Sequence, residues 1–164
     1  MLNKLYYILF FLMFTITGCT RDDICAGEIP KTPLMVVTFY DFEYPDERKA
    51  VTNFSYAIAQ DTVALMEPTT LDSIAFSLNT SQDFTEYLFA ANATDSTSFI
   101  DQILFTYNRE EEYINRACAF RTNFTHLTTE LTFINPLSWI AMVTVVSDTI
   151  NIRNPDETHI HIYH

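Results

Sequence analysis

Glycine is almost missing from this chain of 164 residues, which holds two, Gly18 and Gly27. That excludes the Gly-rich loops that cradle phosphates and the Gly-x-Ser-x-Gly elbow that exposes a nucleophilic serine. Basic residues are also scarce: nine Lys and Arg stand against 21 Asp and Glu, for a net charge of −12. So acidic a chain repels phosphate backbones and anionic headgroups, which argues against a nucleic-acid partner and against adsorption to lipid by charge. The three cysteines lack the paired spacing of zinc sites, and the four histidines include no metalloprotease pair. No apolar run reaches the roughly 20 residues of a membrane-spanning helix.

What is present begins with a leader. Lys4 supplies a positive charge, and residues 5–16 are apolar except for Thr15, a secretory h-region in length. The following Ile16-Thr17-Gly18-Cys19 resembles the bacterial lipobox, in which the cysteine sulfur takes diacylglycerol and cleavage exposes its amine. Several acyl chains at about 0.8 kcal/mol per buried methylene give a stable anchor, whereas one chain is marginal. Thr20 stands where an Asp would favour inner-membrane retention, and Arg21-Asp22-Asp23 resembles a surface-export tether. The expectation is therefore a signal peptide over 1–18, a lipid anchor at Cys19 with its tether over 19–33, and one β domain over 34–164. The membrane partner is the outer membrane, with periplasmic and surface faces both open.

Loss of residues 1–18 leaves 146 residues, enough for one domain with a core, and removes Lys4, so the balance becomes −13. Two cysteines then remain beside the acylated one. In an oxidising envelope Cys25 and Cys118, 93 residues apart, are most simply a disulfide. A loop of that size is worth roughly 4–5 kcal/mol in the chain-entropy model.

Strand patterns fill the remainder. Branched and aromatic residues over 34–42 read as a first strand, and 54–58 as a second. Ile74, Phe76 and Leu78 alternate with small polar residues, and 83–90 and 100–107 are further strands. Asn108-Arg109-Glu110 reads as a turn into a strand within 111–127, whose Ile114, Arg116, Cys118, Phe120, Thr122 and Phe124 share a core face. Residues 139–146 are apolar on both faces and read as a central strand. In the last strand Ile160 and Ile162 point inward, with His159, His161 and Tyr163 outward. The sum is about eight strands without an amphipathic helix: an all-β antiparallel sandwich, with an eight-stranded barrel as the alternative.

Few constellations suggest chemistry. Arg109, Glu110, Glu111, Glu112 and Arg116 form the densest charge cluster, a candidate rim for a cation or carbohydrate, or else a solvated hairpin with cross-strand ion pairs. His159 and His161 are the nearest approach to a metal site. At two residues' separation on a strand they stand roughly 7 Å apart, long for two ligands of one ion. No metal, cofactor or catalytic group is expected. Asp61-Thr62-Val63, Asp72-Ser73-Ile74, Asp95-Ser96-Thr97 and Asp148-Thr149-Ile150 match a short acceptor pattern for O-glycosylation, with the Asp95 site in a polar loop the best placed.

Three motifs together carry a family resemblance: Arg21-Asp22-Asp23-Ile24-Cys25, then Tyr107-x-Arg109-Glu110-Glu111-x-Tyr113-Ile114-x-Arg116-Ala117-Cys118-x-Phe120, and finally His159-Ile160-x-Ile162-x-His164. They resemble an uncharacterised lipoprotein family of flavobacterial-type bacteria. The resemblance implies the anchor, the bridge and the domain limits, and supplies no activity. The functional expectation is a non-catalytic envelope module that binds another envelope protein or a glycan. A carrier of an apolar ligand inside a barrel, and more remotely a hydrolase, are the alternatives.

Overall fold

The computed structural model describes Cys25, Gly27 and residues 31–61, 63–94, 98–133, 138–151 and 157–164. Cys19, the leader expected over residues 1–18, Asp95-Ser96-Thr97 and Asp156 lie outside the described residues. Two compact units emerge. One joins the N-terminal segment with Tyr113–Phe120; the other comprises Pro30–Glu112 and Arg121–His164.

The described chain is all-β, with nine strands: β1 (Met35–Tyr40), β2 (Val51–Ile58), β3 (Thr69–Leu71), β4 (Ser73–Phe76), β5 (Phe84–Ala91), β6 (Phe99–Asn115), β7 (Ala119–Phe133), β8 (Met142–Val145) and β9 (Ile160–Tyr163). They form two sheets, a four-stranded one in the order β4-β1-β9-β8 and a five-stranded one in the order β3-β2-β5-β6-β7. Neither sheet closes on itself, so the architecture is the sandwich, and the barrel is overturned. A carrier built on a barrel interior loses its basis with it. Among the described residues β1 pairs antiparallel with β4, β2 with β3 and β5, β5 with β6 and β8 with β9, whereas β1 and β9 run parallel, Val37 opposite Ile160 and Phe39 opposite Ile162.

Alternation explains the core. Val37, Phe39, Ile160 and Ile162 from the four-stranded sheet are fully buried, as are Phe54, Phe89, Ile103 and Phe105 from the five-stranded one. Each such side chain contributes roughly 1.5–3 kcal/mol by leaving water. The rings interlock: Phe39 lies 5.2 Å from Phe54, and Phe54 lies 5.5 Å from Phe89, centroid to centroid. Buried hydroxyls are satisfied. Tyr107 Oη donates to Asn79 O at 2.9 Å and sits 2.6 Å from Thr85 Oγ1, which accepts the Asn79 N–H at 2.8 Å.

Four expectations are corrected. The Asn108-Arg109-Glu110 turn does not exist, because β6 runs through it and the reversal falls at residues 116–118. Polarity there marks a solvent-exposed stretch of strand, and no Gly or Pro supports a turn. That reversal also breaks the supposed core face. Thr122 and Phe124 are buried, but Phe120 is 59% exposed and Arg116 is exposed in the turn, so no charge is buried there. Next, β8 is an edge strand, its Met142 and Thr144 exposed and its Val143 and Val145 half-buried. Its apolar outer residues made an edge look central. Finally, His159 is not turned outward; it is 1% exposed.

With glycine so scarce, other residues take the left-handed backbone positions. Asn53, Asn92, Ala119 and His126 have φ of 47°, 53°, 56° and 56°. Asn tolerates this region; Ala and His adopt it at a cost. Asn53 marks the register shift where β2 meets β3, between Val51 and Phe54.

Candidate functional site

The charged cluster of β6 divides by strand alternation. Glu110 and Glu112 fall on one face, Arg109 and Glu111 on the other. Arg109 is a latch: its Nε donates to Asp83 Oδ1 and its Nη1 to Thr80 O, both at 2.7 Å, which closes the connection from β4 to β5. Arg116 belongs to the turn that follows β6.

Glu110 and Glu112 meet Arg121, Asn123 and Thr125, which alternate along β7. Arg121 grips Glu112 with two nearly parallel bonds, Nε to Oε2 at 2.9 Å and Nη2 to Oε1 at 2.6 Å. The Glu112 carboxylate raises the Arg121 guanidinium above its ordinary value. Asn123 Nδ2 donates to Glu112 Oε2 at 3.1 Å, and Thr125 Oγ1 to Glu110 Oε1 at 3.4 Å. An isolated bridge between Phe124 and Ile150 then brings Thr149 and Asn151 alongside. These seven residues line an open groove of about 430 Å³, within the size range of small-ligand sites. Asn123 Oδ1 is buried there and has no hydrogen-bond partner among the described residues. Acceptors outnumber cations, so the groove suits a ligand that donates hydrogen bonds. Of the sequence-stated rim, only Glu110 and Glu112 belong to it. Arg121, Asn123, Thr125, Thr149 and Asn151 were missed, although the Arg121-x-Asn123-x-Thr125 alternation was legible.

Two further depressions lie on the same sheet. One of about 400 Å³ is floored by Ala57, Leu88, Ala90 and Ile100 on its outer face; the other, about 200 Å³, lies near Leu78 and Phe84. Neither carries a charged pair held by hydrogen bonds comparable to Glu112 and Arg121.

The histidines do not converge on a metal. His159 Nδ1 accepts the Val36 N–H at 3.0 Å, so the proton of the neutral ring sits on Nε2, which is buried without a partner. Burial pushes this imidazole below its ordinary value. His161 packs on Tyr40 with ring centroids 4.5 Å apart. Among the described residues no three His, Cys, Asp or Glu side chains are grouped to hold an ion. Of the glycosylation patterns, Ser73 is exposed and Thr149 lies in the groove, its Oγ1 on Asp148 Oδ1 at 3.1 Å; Thr62 and residues 95–97 are outside the described residues.

In the smaller unit, Cys25 and Cys118 form a disulfide, with Cα atoms 4.9 Å apart. Asn115 Oδ1 accepts the N–H of Ala117 at 2.9 Å and of Cys118 at 2.8 Å, fixing the turn from its first residue. Tyr113 and Phe120 stack edge-on across it, 5.3 Å between centroids.

Comparison with curated proteins and with solved structures finds no match. A family model does match, over residues 52–164, from β2 to the last residue and therefore through the groove and both arms of the β6–β7 hairpin. Since it spans more than half of the sequence, the chain belongs to this Family of unknown function (DUF6452).

Proposed function

We propose that the protein is an envelope lipoprotein, held in the outer membrane through acylated Cys19, that acts as a non-catalytic module binding a hydroxyl-rich ligand, an envelope glycan. The observation that carries this reading is the groove of Glu110, Glu112, Arg121, Asn123 and Thr125, which gathers carboxylate, guanidinium, amide and hydroxyl groups around one open space. Sugar hydroxyls donate to carboxylate and amide oxygens and accept from guanidinium and amide nitrogens, and both kinds of group line this groove. The Glu112–Arg121 grip holds its polar groups in place before any ligand arrives, which reduces the ordering cost of binding.

The test is direct binding of outer-membrane glycan fragments, by calorimetry, to the intact protein and to Asn123→Ala and Glu110→Ala. Binding to the intact protein that weakens in both variants, with strand content unchanged by circular dichroism, supports the reading. Absence of binding across those fragments would sink the glycan assignment. Labelling with radioactive palmitate, present in the natural sequence and absent in Cys19→Ala, tests the anchor separately.

A further inference from the structure

We infer that the end of the β6–β7 hairpin seats Tyr113 and Phe120 in the interfacial layer of the bilayer that holds the protein. The inference rests on the proposed anchor at Cys19 and adds to it a second, non-covalent membrane contact. Both rings are 59% exposed and pack on each other, so two large apolar surfaces face solvent together. Between them in sequence lies Arg116, exposed in the turn. Aromatic side chains with an adjacent cation are the composition favoured at the membrane–water boundary.

Tether length names the occupant. Cys19 and Cys25 are six residues apart, so even fully extended they are separated by no more than about 22 Å. The disulfide then sets the Cα of Cys118 4.9 Å from that of Cys25. Phe120 follows two residues later. An acylated Cys19 lies at the headgroups by construction, so the ring pair stays within a few nanometres of the bilayer in every conformation of the tether. The effective concentration of membrane surface is correspondingly high, and a contact too weak to recruit the protein from solution becomes populated. The acidity of the chain does not oppose this, provided the lipid is zwitterionic, because proximity comes from the acyl chains and not from charge. Exposed Glu111 directs the choice the same way, away from anionic lipid.

The experiment uses the full lipidated protein reconstituted in vesicles of zwitterionic phosphatidylethanolamine and phosphatidylcholine brominated near the headgroup end of the acyl chain. Phe120→Trp places a reporter in the pair, and Tyr113→Trp provides a second; the single natural tryptophan, Trp139, gives the baseline to subtract. The expected result is a blue shift and bromine quenching of the new tryptophan, both weakened when Cys25 and Cys118 are replaced by alanine while the protein still floats with the vesicles. Reporters that stay unshifted and unquenched on protein that floats would overturn this inference and leave the anchor standing. Quenching undiminished by loss of the disulfide would overturn the tether argument. Protein that fails to float would overturn the anchor and this inference with it.

Discussion

The carboxylate of Asp101 accepts the backbone N–H of Ile140 at 2.9 Å, with both residues buried. The same oxygen, Oδ2, also accepts the Trp139 N–H at 2.9 Å and the Ser138 hydroxyl at 2.8 Å. One side chain of β6 thus gathers the segment that leads into β8, and joins the five-stranded sheet to the approach of the four-stranded one. Trp139 completes the link by donating Nε1–H to Phe89 O at 3.1 Å.

Removal of that carboxylate leaves two backbone donors short of an acceptor, while the Ser138 hydroxyl keeps Ile140 O at 3.1 Å. At about 1–3 kcal/mol for each buried group left unmet, Asp101→Ala should cost about 3–5 kcal/mol of stability. Asp101→Asn keeps one acceptor oxygen and should cost about 1–2 kcal/mol, since it loses the charge assistance and adds donors beside a spot where Oδ1 already has no partner. Urea unfolding of the two variants checks the order; equal losses would remove Oδ2 as the anchor point.

Acid sensitivity should come from the histidines. Burial holds His159 below its ordinary value near 6.5, and burial does the same to His161 and His164, with Arg48 adding to the effect on His161. For these groups the unfolded chain takes up protons that the folded chain refuses, so stability is complete above about pH 6.5 and declines as pH falls below it. The melting temperature should therefore drop between pH 7.5 and 5.5, before carboxylates such as Asp41, held low by Lys49, begin to protonate. His159→Asn can still accept the Val36 N–H through its amide oxygen, and should flatten the decline without abolishing it. An unchanged slope in that variant would exclude His159 as a source.

Much of this was legible, and the failures share a cause. Alternation located the buried Phe76, Ile160 and Ile162, because each sits on a strand with one wet and one dry face. It misled where polarity does not follow burial. Asn108 to Glu110 are polar because that part of β6 is largely exposed, and Met142, Val143 and Val145 are apolar although β8 is an edge. Asp101 shared its phase with Ile103, Phe105 and Tyr107, so its burial could have been read; its partners, two backbone N–H groups some 40 residues on, could not. The groove is the same case. Glu110 and Glu112 were visible as a cluster, but Thr149 and Asn151 join them only through the Phe124–Ile150 bridge, which no periodicity announces.

Scarcity of glycine makes a further prediction. Ala119 follows the turn at residues 116–118 with φ of 56°, where its Cβ crowds the carbonyl that follows. Ala119→Gly relieves that crowding, and the gain exceeds the added freedom of the unfolded chain. The substitution should stabilise the protein by about 0.5–1 kcal/mol. Ala119→Val, branched at Cβ, should destabilise it by at least as much. Denaturant midpoints for the pair check the sign; a loss on introducing glycine would refute the strain at this position.

The disulfide offers an effect of similar size to the Asp101 carboxylate. It closes a loop of 93 residues between a segment preceding β1 and the turn that ends β6. In the chain-entropy model its loss costs roughly 4–5 kcal/mol, through the greater freedom of the unfolded chain. That full value requires the folded state to hold Cys25 beside Cys118 even without the bond. Thr32 contributes to holding the intervening segment, since its Oγ1 accepts the Thr122 N–H at 3.1 Å on β7. Replacing both cysteines by alanine should therefore destabilise the protein by somewhat less than the model value, about 3–4 kcal/mol. Thr32→Val in the cysteine-free background should release the segment further, seen as faster amide exchange at Thr122. A loss below about 1 kcal/mol for the double alanine variant would mean that the bond only fastens the tail to the hairpin and does not hold up the sandwich.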